Sequence, residues 1–348
     1  MSRLTQSSEL PDPAKIWQLR AKLKTAVREF FGRDSFTEVE TPVLVPCPGT
    51  EAHLDYFATQ WMDHQGKAQN LWLRSSPELH MKQVLAQGME RIFQFAVSFR
   101  NHGELSPWHH PEFLMLEWYH GGISFSDFIA QSRDLIFFCI SRLREEFPDL
   151  IQGSMPATLQ QMTVGEAFLE FAGIHLEDQD EELAARAKSA GMLSLSGHED
   201  FETAFFKILL ERIEPAISRL GLFVLTHYPP SQAALSQVKN GLAHRFEFYW
   251  NGVELCNGFE ELLNPEENRQ RIGEALKIRH AEGRAIFSED EDFYAALSSG
   301  IPQCCGNALG LDRLLARILG FDSIAPVLPL RQTWPWKNYA EGSCLLSV

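Results

Sequence analysis

Positive charge is scarce in this sequence. Of 348 residues, 31 are Lys or Arg against 46 Asp or Glu, a formal net charge of −15. That balance argues against the broad basic footprint by which proteins hold nucleic acid, and leaves room only for a local basic patch. Cysteine is also sparse, with six residues at 47, 139, 256, 304, 305 and 344 and no Cys-x-x-Cys pair. The spacing argues against a zinc site and fits a reduced, cytoplasmic protein. His109 and His110 are adjacent but have no further His or Cys at ligand spacing, so no metal is expected on them. No apolar run approaches membrane-spanning length, and residues 1–15 lack the apolar stretch of a signal peptide. Internal repeats and low-complexity segments are missing too.

Apolar residues are plentiful. They make up 45% of the chain, with 25 Phe and 8 Trp, enough for a sizeable core in one large domain or two medium ones. Beyond a polar tail at 1–14, the spacing of Ile16, Leu19, Leu23, Val27, Phe30 and Phe31 predicts a helix over 14–32. "SFTEVETPVL" predicts a short strand closed by Pro42. "SSPELHMKQVLAQG" predicts a helix with Ser76 as N-cap, Pro77 at its first position and Gly88 at its end. "RIFQFAVSFR" and "PEFLMLEWY" are strands joined by a polar loop at 101–110. Residues 124–220 are expected to form a mostly helical insertion packed against the sheet, with Thr163 and Glu166 as a capping box. Strands return at "GLFVLTHYP", "HRFEFYW" and "VELCNGFEEL". Asn264-Pro265-Glu266-Glu267 opens a helix, and "CGNALGLDRLLARILG" is a strand or loop running into another. The expected class is α+β, a mostly antiparallel sheet with helices on its faces. One domain spans 15–320, and an extension covers 321–348.

Glu117 stands out within "PEFLMLEWY". Alternation puts Leu114, Leu116 and Trp118 on one face and Phe113, Met115, Glu117 and Tyr119 on the other. Both faces are rich in large apolar groups, so the carboxylate sits in a buried setting, which is costly unless a cation meets it.

Three constellations point to chemistry. Asn251-Gly252 predicts a type I′ hairpin pairing Trp250 with Val253, Tyr249 with Glu254, Phe248 with Leu255 and Glu247 with Cys256. Glu247 and Glu254 become diagonal neighbours on one face, either a magnesium-type oxygen pair or a solvated polar surface. In "SFRNHGELSPWHHPEF", Arg100 leaves one strand, and His109 and Phe113 enter the next. This is either a phosphate clamp with a base-stacking ring or a surface arginine and a core phenylalanine. In "GNALGLDR", Gly306 and Gly310 allow close backbone approach and Arg313 lies in the following helix. It is either a phosphate-binding entry or an ordinary glycine-rich loop.

The short strand ending in Pro42, the strand pair with Arg100 and Phe113, and the glycine-rich segment feeding the helix with Arg313 occur in the order of the three motifs of class II aminoacyl-tRNA synthetases. The chain resembles the lysyl-tRNA synthetase catalytic domain through "PEL..K", "FRN", "H.PEF..LE.Y", "FEF...G.EL.NGF.EL" and "G..LG.DR", over about residues 15–320. The resemblance implies that Arg100 grips the α-phosphate of ATP and the substrate carboxylate. It implies that Phe113 stacks on adenine, that His109 lies near the outer phosphates, and that Arg313 holds the γ-phosphate. By the same resemblance Glu247 and Glu254 bind Mg2+. Ser76 is placed with the substrate, and Glu78 receives its nearer amine. Glu117, Tyr119, Asn257, Phe259 and Glu261 form the pocket for a lysine side chain. The loop after Arg100 is one residue longer than usual, so the glutamate expected there is either replaced by His102 or supplied by Glu104, and Glu104 is preferred.

Only about 14 residues precede the first helix, so no anticodon-binding barrel is expected. The chain accordingly resembles the short paralogues, the elongation factor P lysine ligases, through "NLWLRSSPELHMK", "HPEFLMLEWY" and "GVELCNGFEEL". That family attaches (R)-β-lysine to a lysine of elongation factor P. Ala308, where lysyl-tRNA synthetases have glycine, belongs to the same pattern. Two alternatives are a truncated enzyme serving another acceptor and a silent paralogue, which would be expected to have lost Arg100, Arg313 or the acidic pair. A homodimer is expected, because the segment ending at Pro42 matches the dimer motif of the class and the helix bearing Phe30 and Phe31 needs a cover.

Overall fold

The computed structural model describes residues 12–103, 106–151, 159–328 and 330. Glu104, Cys344 and most of 321–348 beyond Leu328 lie outside them.

The first helix, α1 (Pro13–Gly32), is capped by Asp12, whose carboxylate accepts from the Ala14 amide. It is followed by β1 (Thr37–Glu38) and β2 (Leu44–Val45). The expected strand up to Pro42 is therefore only two residues long. Proline lacks the amide a ladder requires, and pairing resumes beyond it. β3 (Ala58–Met62) and β4 (Ala68–Leu73) complete a small sheet with β2 that the sequence pattern did not disclose. In α2 (Glu78–Leu85), Pro77 is the N-cap rather than the first helical residue, and Ser76 Oγ accepts from the Glu78 amide at 3.2 Å.

β5 (Arg91–Phe99) and β6 (Glu112–Gly121) pair over their full length, and α3 (Phe125–Glu146) follows. The region expected to be helical contains β7 (Leu159–Thr163), then α4 (Val164–Ala167), α5 (Leu183–Ser189), α6 (Phe201–Ile208) and α7 (Glu214–Ile217). Thr163 and Glu166 form the predicted capping box. β8 (Leu222–Tyr228), β9 (Val238–Lys239), β10 (Leu242–Trp250) and β11 (Val253–Glu260) precede α8 (Pro265–Ala281), which Asn264 caps. α9 (Glu291–Gly300), β12 (Cys304–Gly310) and α10 (Leu311–Ile318) complete the chain of elements.

The main sheet runs β1-β5-β6-β12-β11-β10-β8-β7, with β9 on β10. Pairing is antiparallel except at the two ends, β1 on β5 and β7 on β8. This is the α+β class expected from the sequence. One face of the sheet packs its core against α1, α3 and α10, including Phe31, Trp118, Phe246 and Leu315. The cover for α1 comes from within the chain, since Phe31 is fully buried and Phe30 lies 5.7 Å from Phe138 of α3. That removes the argument that Phe30 and Phe31 need a partner subunit.

Candidate active site

The opposite face of the sheet forms the floor of a cavity of about 960 Å³. Its residues fall into rows set by strand register. Glu117 of β6 pairs with Ala308 of β12, Ala308 with Asn257 of β11, and Asn257 with Glu247 of β10. Tyr119, Gly306, Phe259 and Arg245 form the next row on the same strands.

The hairpin makes these rows possible by departing from the predicted register. Trp250 pairs with Val253 and Tyr249 with Glu254, as expected, but a bulge then intervenes and Phe248 pairs with Cys256. The extra residue, Leu255, reverses the alternation of everything after it. Cys256 therefore joins the core instead of the face of Glu247. Asn257 takes its place opposite Glu247, and Asn257, Phe259 and Glu261 line the cavity with Glu254.

At one end of the cavity the buried acids gather. Glu117 is 2% exposed; its Oε1 accepts from Tyr119 Oη at 2.7 Å and its Oε2 has no hydrogen-bond partner among the described residues. Glu261, 1% exposed, has Oε2 at 2.6 Å from Lys82 Nζ, and Glu78 Oε1 lies 2.7 Å from the same nitrogen. Lys82 itself is fully buried. Burial pushes the Glu117 carboxyl up to about 8, reinforced by the charge of Glu78 and opposed by the Tyr119 hydrogen bond. Burial also raises Glu261 to about 7 against the pull of Lys82. For Lys82, burial acts to lower the pKa, but Glu261 and Glu78 outweigh it and hold the value above that of an ordinary lysine. Ser76 lies on the same wall.

The other end carries arginines. The Arg100 guanidinium lies 5.4 Å from the Phe113 ring centroid, and its Nε is buried with no hydrogen-bond partner among the described residues. Arg313 donates to Trp108 O at 3.2 Å and to Glu254 O at 2.9 Å, and lies 3.4 Å from Glu254 Oε2. Its Nη2 is 3.0 Å from His109 Nε2. An arginine only donates, so this His109 nitrogen accepts and the proton sits on Nδ1, 2.5 Å from Ser106 Oγ. Glu247 is held by Arg245 and by Tyr249 Oη, the latter at 2.6 Å. His102 borders the cavity in a left-handed conformation (φ 48°), its Nδ1 3.6 Å from Asp55 Oδ2. Glu104, the alternative acid for this loop, lies outside the described residues.

Every other residue nominated from the sequence lines this one cavity, Ala308 included. Two that were not nominated hold it in shape. Lys82 is legible as the fourth residue after Glu78, a helical ion-pair spacing. Arg245 shares the alternation of Glu247 and Tyr249 on β10 and stacks 4.5 Å from the Tyr228 ring.

Residues 4–333 match the family model of the "tRNA synthetases class II (D, K and N)". An "Elongation factor P--(R)-beta-lysine ligase" of Avibacterium paragallinarum is 37% identical over 315 residues, covering 89% of this chain and 92% of that relative. Proteins of the same name from Histophilus somni (strain 2336) and Haemophilus influenzae (strain PittGG) are each 36% identical over 315 residues, with the same coverage.

The chain belongs to the class II tRNA synthetases and, within them, to the family of these ligases.

This class II ligase thus sets Glu78, Glu117 and Glu261 with Lys82 at one end of its cavity and Arg100 and Arg313 with Glu247 and Glu254 at the other. Five of its cysteines, at 47, 139, 256, 304 and 305, are buried free thiols. No described helix is long and apolar enough to cross a membrane, and no group of three or more His, Cys, Asp or Glu among the described residues could hold a metal ion.

Proposed function

We propose that this chain uses ATP to activate (R)-β-lysine as an aminoacyl adenylate and transfers the acyl group to a lysine side chain of elongation factor P. The observation that carries this reading is Glu117, a buried carboxylate with one oxygen unpartnered among the described residues, beside two further acids that share one lysine. Such a floor calls for a substrate bearing ammonium groups, and the names of the relatives supply the amino acid and the acceptor.

The chemistry asks for positioning more than for acid–base help. A substrate carboxylate oxygen attacks the α-phosphorus of ATP in line, and pyrophosphate leaves. Arg100 takes the α-phosphate and the substrate carboxylate, Phe113 the adenine ring, and Arg313 with His109 the outer phosphates; each lowers the barrier by holding or neutralising charge. Glu78, Glu117 and Glu261 receive the amines, with Ser76, Tyr119, Asn257 and Phe259 shaping the pocket. Glu247 and Glu254 offer carboxylate oxygens on the cavity wall, a donor set that suits magnesium completed by phosphate oxygens and water. The ion would add to the neutralisation of phosphate charge. In the second half-reaction the deprotonated acceptor amine attacks the adenylate carbonyl, AMP leaves, and the amide nitrogen releases a proton.

A homodimer is part of this reading, supported by exposed apolar side chains on α1 and the small sheet, among them Trp17, Leu44, Trp61 and Met62. So is a cytoplasmic location, where elongation factor P works.

Pyrophosphate exchange with (R)-β-lysine, α-lysine and other amino acids, then the mass of purified elongation factor P after incubation, tests the reading. The expected result is strongest exchange with (R)-β-lysine and a mass gain of one lysyl unit. Absence of exchange with any diamino acid, or an unmodified factor, would overturn it.

A further inference from the structure

The acid end of the cavity contains a cation of its own. Lys82 Nζ sits between Glu78 Oε1 at 2.7 Å and Glu261 Oε2 at 2.6 Å, with no exposure to solvent. Three carboxylates therefore face one ammonium, and Glu117 Oε2 is left unpartnered among the described residues. Tyr119 of β6 faces the same three acids, and Cys304 of β12 lies near both Glu261 and Lys82. A further cation that feels the charge of Glu117, Arg74, turns its guanidinium to the backbone oxygens of Thr41, Pro42 and Val97.

We propose that Lys82 is a positioning residue that sets the charge of this floor: by holding Glu78 and Glu261 as ionised acceptors it leaves a deficit of two positive charges, so the site selects an amino acid carrying two ammonium groups. The inference rests on the function proposed above and adds the device behind its substrate class. A substrate with two ammonium groups neutralises the floor, while its carboxylate goes to the arginine end. One with a single ammonium leaves a buried acid unmet, and a site built for a polar group rejects a ligand that lacks it. Without Lys82 the acids would repel one another and take up protons, losing their hold on ammonium. The raised Glu261 carboxyl, kept down only by Lys82, agrees with this.

The test compares Lys82→Met with Lys82→Met/Glu261→Gln, which has the same formal floor charge as the wild type. In pyrophosphate exchange with (R)-β-lysine, Lys82→Met should lose about a hundredfold or more in kcat/KM near neutral pH, as when one partner of a buried ion pair is removed. The KM for ATP should hold, and the acid limb of the pH profile should move up by about one unit or more. The double variant should recover about tenfold over the single one. Loss by the same factor at every pH, with no recovery in the double variant, overturns the proposal and leaves Lys82 a packing residue.

Melting temperature against pH reads the same charges without turnover, which separates this inference from the proposed function. Lys82→Met should lose stability more steeply than wild type between pH 6 and 9, and the double variant should restore the slope. Parallel curves overturn the proposal even if every substrate assignment holds. If the single variant does not fold, the double variant decides: a folded, active protein supports the charge argument, and an unfolded one refutes it.

Discussion

Glu117 concentrates the energetics of the site at a single side chain. Its pKa is raised from the ordinary carboxylate value of 4.5 to about 8. The folded state therefore binds more protons than the unfolded chain between these values, and by linkage stability falls as pH rises through that window. Melting temperature should drop from pH 6 to pH 8.5, and Glu117→Gln should flatten the slope, with Glu261 supplying what remains. Substrate ammonium binds the ionised form, so KM for the amino acid should fall over the same range. An unchanged KM would refute the assignment. Glu117→Gln and Glu261→Gln should each cost about 1.5–3 kcal/mol of amine recognition, about ten- to a hundredfold in amino-acid activation, and leave ATP binding in place. Ala308 is the second residue of interest, because it lies between Glu117 and Asn257 in the sheet. Its methyl group takes room on the site floor where a glycine would leave bare backbone. Ala308→Gly should raise use of α-lysine relative to (R)-β-lysine by about tenfold or more, the scale of a methyl-sized change. Exchange rates for the two isomers give the ratio, and an unaltered ratio would remove Ala308 from the specificity argument.

At the scale of elements, the site depends on where strands bulge and where backbones come close. The bulge in β11 brings Asn257 opposite Glu247, and β12 carries Gly306 between Tyr119 and Phe259. A Cβ at Gly306 would collide with the Glu261 carboxylate and the Tyr119 ring. Gly306→Ala should therefore abolish amino-acid activation while ATP still binds, measurable by calorimetry with each ligand. The junction of β12 with α10 presents Arg313 to Glu254 and His109. Arg313→Ala and Glu254→Ala should both cripple adenylate formation and leave the circular dichroism spectrum intact. Full pyrophosphate exchange by Glu254→Ala across a magnesium titration would show that the metal assignment is wrong.

Across the whole molecule, one face of the sheet packs against α1, α3 and α10, and the other carries the cavity together with two further apolar clusters, one with α4–α7 and one with α2 and α9. Asp312 ties the two together: it accepts from Arg20 of α1 at 2.5 Å and from the Leu114 amide at 2.9 Å, one residue before Arg313. Buried charge elsewhere is met as desolvation requires, by ion pairs or, for Arg74 and Arg279, by backbone carbonyls. The exposed Trp17, Val43, Leu44, Trp61 and Met62 lie outside both layers. Light scattering should give twice the chain mass of 39.6 kDa at micromolar concentration, and a fully active monomer would exclude the dimer.

Local signals in the sequence determined much of this protein. Period-2 runs marked β5, β6 and β10, Asn264-Pro265 marked the start of α8, and Glu117 was recognisable as a buried acid because apolar residues surround it on its own strand. The order of the Pro42 strand, the Arg100–Phe113 strand pair and the glycine-rich segment before Arg313 was enough to indicate the family. The tertiary structure alone decided the register after Tyr249, because a bulge is chosen by what neighbouring strands demand and not by the residues that form it. It alone decided that α3 covers Phe30, a contact between residues about a hundred positions apart, and that Phe93 and Trp118 of the sheet cover Phe31. It also decided that Lys82 meets Glu261. The Glu78–Lys82 spacing is visible in the chain, but the charge of a pocket is a sum over side chains that only folding brings within a few ångströms.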